Sequence, residues 1–440
     1  MGLATPQRIR TLRRKLYVKA KDEPAFRFYS LYDKIWREDI LRHAYAVAKS
    51  HKGAPGVDGV TFERIEAEGL SEWISGLQES LRTRTYRPQP VRRVYIPKPN
   101  GGQRPLGIPT IRDRVVQTAA VLVLLPIFDA GFAEEMYGYR PRRKAQDAVA
   151  KVHAVLKEGY TDVVDADLTR YFDEIPHEDL LRSVGRRIAD GAVLRLIRLW
   201  LKAPIQERDK EGRIRMTGGR NHSRGTPQGG VVSPLLANVY MNRFLRAWRG
   251  RGVGQMLRAE VVAYADDFVI LCKGTASKSL ALTRQWMRSL KLTLNEDKTR
   301  LRDARRETFD FLGYTFGPMH DRRNGRRYLG VMPSRKSVGR LRERVRTILR
   351  TTNTEPWEAI VAQVNRVLVG WANYFNYGHV ARPYWWVDAF LLRRARRFLV
   401  RRHKCRGQGT RRFRPEEVFG PCGLVSLGAR KRAAGLHALA

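Results

Sequence analysis

Three aspartates carry the most concentrated chemistry in the chain. Asp167 stands in DADLTRYFDEIPH just after the β-prone Val163-Val164, and Asp266-Asp267 stand in AYADDFVIL between two apolar runs. Adjacent carboxylates repel each other and lose hydration when flanked by core. A solvated hairpin turn tolerates such a pair; a ligand that neutralises them is the other reading. If the strand before Asp167 lies beside the strands around Asp266, carboxylates 99 residues apart converge. Their hard oxygens suit a pair of Mg²⁺ ions, with Mn²⁺ able to substitute. Two such ions roughly 3.5–4 Å apart stabilise the attacking and leaving oxygens of an in-line phosphoryl transfer. Without a metal, at least one carboxylate should keep its proton to unusually high pH.

The elements that must position these groups are legible as patterns. Residues 162–168 read as a strand turning into a helix near Pro176, and 261–271 as strand, turn, strand. RGTPQGGVVSPLLANVYMNRFL (224–245) is a Gly-rich loop entering a helix, and 277–290 is a further helix before LTLNEDKTR and a strand, DFLGYTF, at 310–316. Upstream, 24–50 has an amphipathic helical pattern through Phe26, Tyr29, Ile35 and Leu41. A structured loop at 51–63 leads to a helix at 65–81. Residues 86–110 form a hairpin turned at Pro-Asn-Gly-Gly, with a strand at 91–96, and 111–128 is a buried helix. Downstream, Ser334 caps a helix with Val338, Leu341, Val345 and Ile348 at helical spacing, and 357–377 is helical.

The 440 residues carry 84 Lys and Arg against 43 Asp and Glu, a net charge of +41. Self-repulsion of that size calls for a polyanion, either nucleic acid or an anionic membrane. The longest apolar run, 118–128, is too short to span a bilayer, and the basic start has no signal-peptide core. Nucleic acid in the cytosol is the expectation, with no membrane partner and with nucleoid association when DNA is bound. Three separated cysteines and nine scattered histidines offer neither a disulfide framework nor zinc spacing.

The motifs AYADDFVIL, DADLTRYFDEIPH, GTPQGGVVSPLLANVYM, LTLNEDKTR and FLGYTF occur in the order found in reverse transcriptases. With GAPGVDGVT, IPKPNGGQRPLGIPTIRDRVVQ and YGYRPRRKAQDAV upstream and NRVLVGWANYFNYG downstream, the chain resembles group II intron-encoded proteins from about residue 25 to 425. The resemblance implies an α+β right-hand polymerase, with fingers, a palm built on an antiparallel sheet, and a mainly helical thumb. The expected layout is a basic arm or helix at 1–24, N-terminal extension and fingers at 25–160, and palm at 161–320 with a fingers part near 185–225. A thumb at 330–400 and a basic segment at 401–440 follow.

The resemblance also implies roles. Asp167, Asp266 and Asp267 form the catalytic cluster, and the Leu168 carbonyl adds an oxygen to the metals. Phe172 is the steric gate, whose ring leaves no room for a 2′-hydroxyl. Lys98 and Arg104 meet the triphosphate, Gln228 and Gly229 (with Gly230) approach the incoming base pair, and Lys298 reaches the pyrophosphate. Tyr264 packs near the primer terminus. Asp58, Asp173 and His177 are expected to be structural.

Arg335, Lys336, Arg340 and Arg344, on an arginine-laden helix, and the tract 391–415, with eleven Lys or Arg and no acid, are the expected nucleic-acid surface. Trp371, Tyr374, Phe375, Tyr384, Trp385 and Trp386 are expected in thumb core. The implied partners are group II intron RNA, an RNA template with DNA primer, target DNA and deoxynucleoside triphosphates. No clustered His, Asn and Cys of an endonuclease domain is present in the sequence, so priming from nicks or nascent strands is expected. A splicing cofactor with a vestigial polymerase, and a domesticated enzyme of phage defence or DNA repair, are the alternatives.

Overall fold

The computed structural model describes residues 3–97, 102–209, 211–219, 221–226, 229–321 and 324–433. Its strands, in chain order, are β1 (Val91–Pro97), β2 (Gln103–Ile108), β3 (Asp162–Ala166), β4 (Pro204–Arg208), β5 (Ile214–Gly218) and β6 (Ala259–Tyr264). They continue with β7 (Asp267–Cys272), β8 (Arg300–Asp303), β9 (Phe309–Phe311), β10 (Tyr314–His320) and β11 (Arg327–Pro333). Three sheets result, in the orders β2-β1-β4-β5, β6-β7-β3-β8 and β11-β10-β9.

The central sheet, β6-β7-β3-β8, is antiparallel throughout. Side chains alternate between its faces. Val164, Ala166, Val261, Ala263, Phe268 and Ile270 join the main core with the helices Ile111–Asp129, Ser233–Gly250 and Ala276–Ser289. Val163, Val262, Val269 and Leu271 face the other way, into a core shared with the helix Ala145–Lys157 and with β9, β10 and β11. Burying both faces makes the sheet a stiff platform. The polar residues Asp165, Asp167 and Asp267 belong by alternation to the second face, at one end of the strands.

In the first sheet β1 and β4 run parallel, pairing Val91 with Ile205 and Arg92 with Gln206. The chain between β3 and β6 therefore returns to the N-terminal hairpin, and β4 and β5 join β1 and β2 in one sheet.

Four expectations need correction or refinement. Residues 3–24 take the helical alternative and are no free arm: they hold the helix Gln7–Asp22, whose Ile9, Leu16 and Ala20 lie in the main core. The stretch 24–50 is not one helix. Only Tyr32–Ile35 and Glu38–Ser50 are helical, because the Asp190 carboxylate captures the Leu31 and Tyr32 N–H groups at 2.8 Å each. DFLGYTF is two strands, since Leu312 and Gly313 take φ of 50° and 80° and turn the chain between β9 and β10. Residues 401–433 do not stand apart either. Phe413, Val418, Leu424 and Leu427 share the core of Val338, Leu341, Leu368 and Leu391. Among the described residues, no helix is long and apolar enough to cross a membrane.

Candidate active site

The hairpin of β6 and β7 pairs Tyr264 with Asp267 and leaves Ala265 and Asp266 as its two-residue turn, with Ala265 at φ 59°. A loop braces this turn from the side. Ala263 donates its N–H to the Glu135 carbonyl and accepts from Tyr137 N–H, both at 2.8 Å. Gly138 then lies against the turn so closely that a Cβ there would meet Ala265 N at 2.4 Å. Asn238 Nδ2 donates to the Gly138 carbonyl at 2.8 Å and fixes the loop to the helix Ser233–Gly250. In the sequence, the glycine between two tyrosines in YGYRPRR is the signal for this close approach.

Asp167 is stitched to LTLNEDKTR. Thr169 N–H bonds the Thr293 carbonyl at 2.9 Å, Leu168 bridges Leu294, and Asn295 N–H bonds the Asp167 carbonyl at 2.8 Å. This places Lys298 Nζ 3.0 Å from Asp167 Oδ2. Asp167, Asp266, Asp267, Leu168, Phe172 and Tyr264 line one cleft of about 910 Å³. A second opening of about 400 Å³ flanks Asp167 and Asp267 and carries Asp165, Arg302, Asp310 and Lys336.

The carboxylates are electrostatically unfinished. Asp267 opens onto the cleft yet sits deep in the molecule. Its pKa is pushed up to about 7, first by burial and then by the charges of Asp266, Asp167 and Asp165, against the pull of Lys298. Asp266 is raised by burial and by Asp167, while its own N–H and Arg104 oppose. Asp165 is pushed up to about 6 by burial, with Arg302 opposing and Asp167 and Asp310 adding. The sequence reading missed Asp165, although its period-two relation to Asp167 puts both on one face. Among the described residues no three His, Cys, Asp or Glu side chains stand close enough to hold a metal ion as they are oriented. Asp167 instead holds Lys298. The donor set is nonetheless all hard oxygen with excess negative charge, the chemistry that suits Mg²⁺.

Phe172 is buried beside Asp167 and lines the cleft, as do Arg104 and Asp173. At φ 105° Gly229 presses on β2, where a Cβ would lie 2.3 Å from the Gly107 carbonyl, so the hairpin itself is one close neighbour that requires glycine there. Lys98 and Gln228 lie outside the described residues. Arg335, Lys336, Arg340 and Arg344 are exposed on the helix Arg335–Ile348, and Lys336 alone of the four borders the second opening. Asp58 accepts Val60 N–H in a loop turn. Of the six thumb aromatics, Phe375 and Tyr384 are core and Trp371, Tyr374 and Trp386 half-buried, whereas Trp385 is 66% exposed. Helical spacing could not separate Trp385 from its neighbours because the helix Ala381–Arg402 has a broad apolar sector that ends there.

Comparison with known proteins bears on these features together. The family model for reverse transcriptase (RNA-dependent DNA polymerase) matches residues 96–316, and that for the group II intron maturase-specific domain matches 338–414. Protein YkfC of Escherichia coli (strain K12) is 34% identical over 366 residues, 75% of this chain and 93% of that protein. The chain belongs to the reverse transcriptase family. Group II intron-encoded protein LtrA of Lactococcus lactis subsp. cremoris is 37% identical over 217 residues, which are 49% of this chain and about a third, 34%, of that relative. The reverse-transcriptase match takes in the whole central sheet, and the maturase-specific match lies on the helical body that begins at Val338.

Proposed function

We propose that this reverse transcriptase copies RNA into DNA by nucleotidyl transfer at Asp167, Asp266 and Asp267. We further propose that its maturase-specific domain binds group II intron RNA, promoting splicing and retrohoming by target-primed reverse transcription in the bacterial cytosol. The observation that carries the reading is the convergence of the three carboxylates with Phe172 and Lys298 on one cleft of about 910 Å³. Its substrates are an RNA template with a DNA primer and deoxynucleoside triphosphates, and its partners are intron RNA and target DNA.

Two Mg²⁺ ions held by Asp167 and Asp266, with Asp267 and the Leu168 carbonyl, would supply the Lewis acidity that in-line transfer needs. The protein does the rest. The Gly138 brace fixes the backbone of the Asp266 turn, and the bond from Asn295 fixes that of Asp167, so both carboxylates project into the cleft from a rigid backbone. Cationic charge held in the cleft would favour the ionised form of Asp267, whose pKa burial and the neighbouring aspartates raise. Lys298, exposed and free to swing from Asp167, is placed to protonate departing pyrophosphate. Phe172 blocks the position of a 2′-hydroxyl, and Arg104, which lines the same cleft, meets triphosphate charge.

Primer extension on an RNA template tests the polymerase half: Mg²⁺-dependent DNA synthesis is expected, and its absence sinks that half. Splicing of the flanking RNA at low Mg²⁺, with and without protein, tests the maturase half. Acceleration by the protein is expected, and none would refute that half alone.

A further inference from the structure

His177 begins the helix that follows the Asp167 loop and is 4% exposed. A buried imidazole has to justify its polarity. Here its Nε2 lies 2.7 Å from the Gly225 carbonyl, an acceptor only, so Nε2 carries the proton and donates. Its Nδ1 is buried with no hydrogen-bond partner among the described residues, and the ring packs edge-on against His222 with 5.5 Å between centroids. Burial lowers its pKa, in keeping with a ring that stays neutral.

That bond closes a short ladder. His177 N–H donates to the Ser223 carbonyl at 2.9 Å, and Pro176 bridges Arg224. Gly225 N–H donates to Ile175 at 2.8 Å, and Thr226 N–H donates to the carbonyl of Phe172 at 2.6 Å. Gly225, at φ 88°, is pressed so near residue 173 that a Cβ would lie 2.9 Å from the Asp173 carbonyl. Residues 223–226 thus lie along 172–177, and their far end grips the backbone of the aromatic ring in the cleft. His177 locks the near end.

We infer that His177 is a positioning residue for nucleotide selection: by holding residues 223–226 against the Phe172 backbone it sets how far the Phe172 ring projects under the sugar. The inference rests on the gate reading of Phe172 proposed above. It assigns His177 no contact with substrate. Leaving the Gly225 carbonyl unpaired in a buried place loosens the ladder, and the effect falls on sugar discrimination and nucleotide affinity before it falls on the chemical step.

The test pairs His177→Phe, which keeps an aromatic ring and loses the donor, with His177→Gln, whose amide keeps a donor near Nε2. In His177→Phe the KM for deoxynucleotides should rise roughly tenfold and the preference over ribonucleotides should fall by a similar factor. These are the factors expected from one buried group left unpaired. The kcat should stay within about threefold, and His177→Gln should recover both properties. Amide exchange supplies a readout independent of activity: Gly225 and Thr226 should lose protection in His177→Phe and keep it in His177→Gln. Unchanged KM, preference and protection in His177→Phe would overturn the inference, as would equal losses in both variants. If His177→Phe does not fold, His177→Leu is read the same way. A wild-type protein that makes no DNA would instead refute the proposed polymerase, and the exchange measurement would still decide whether His177 holds the ladder.

Discussion

The Lys298 ammonium stands 3.0 Å from a carboxylate oxygen of Asp167, and that lysine side chain is otherwise well exposed. A flexible cation therefore occupies the carboxylate that the proposed chemistry needs for metal. Removing it in Lys298→Met should let Mg²⁺ bind without displacing a charge, so the half-saturating Mg²⁺ concentration falls. The rate at saturating Mg²⁺ should drop about 10²-fold, the lower range of lost general-acid catalysis. A Mg²⁺ titration of primer extension checks both directions at once.

Asp267 predicts a pH dependence with a definite sign. Its folded pKa, pushed up to about 7, exceeds the ordinary value near 3.9. Between those values the folded state binds more protons than the unfolded one, so this group erodes stability as pH rises from about 4 to 7. Asp165, at about 6, acts in the same direction over a narrower window. In EDTA, thermal melts from pH 5 to 8 should show the wild type losing ground to Asp267→Asn as pH rises. Added Mg²⁺ should restore more stability at pH 8 than at pH 5.

The Gly138 contact tests whether the turn must be braced. A methyl group 2.4 Å from Ala265 N has only backbone to push against. Gly138→Ala should cost about 1–3 kcal/mol of stability, the usual range for overpacking. It should also displace Asp266 and reduce DNA synthesis at least tenfold, because misplacement by an ångström is costly in catalysis. RNA affinity should be unchanged in a filter-binding assay.

Trp385 is the exposed aromatic of the thumb, beside the pair in which the Arg382 guanidinium lies 4.9 Å from the Trp386 ring. An aromatic face in water amid this much positive charge is a platform for an unpaired base. Trp385→Ala should weaken RNA binding about tenfold and change stability by less than about 0.5 kcal/mol. Binding isotherms at fixed salt, alongside denaturant melts, separate the two.

Much of the palm was readable because local pattern and tertiary role agree there. The apolar runs on both sides of Asp266 are β6 and β7, and Ser334 caps its helix as read, accepting Ser337 N–H. Where a distant residue decides a local conformation, pattern failed. Asp190 caps the turn at Leu31 and Tyr32 from across the chain, and no periodicity in 24–50 records it. Gly229 announced that something comes close, but only the fold shows that one neighbour is β2. Asp165 was hidden by its more conspicuous neighbour, since its environment is made by Arg302 and Asp310 from later strands.

The central claim is that the converging carboxylates make DNA while the basic surfaces bind RNA. The most direct test compares wild type with Asp266→Asn in Mg²⁺-dependent primer extension on an RNA template, measuring RNA affinity on the same preparations. A loss of synthesis of at least about 10³-fold is expected, with RNA affinity within about twofold of wild type. Substantial synthesis by Asp266→Asn, with the protein folded and binding RNA normally, would contradict it.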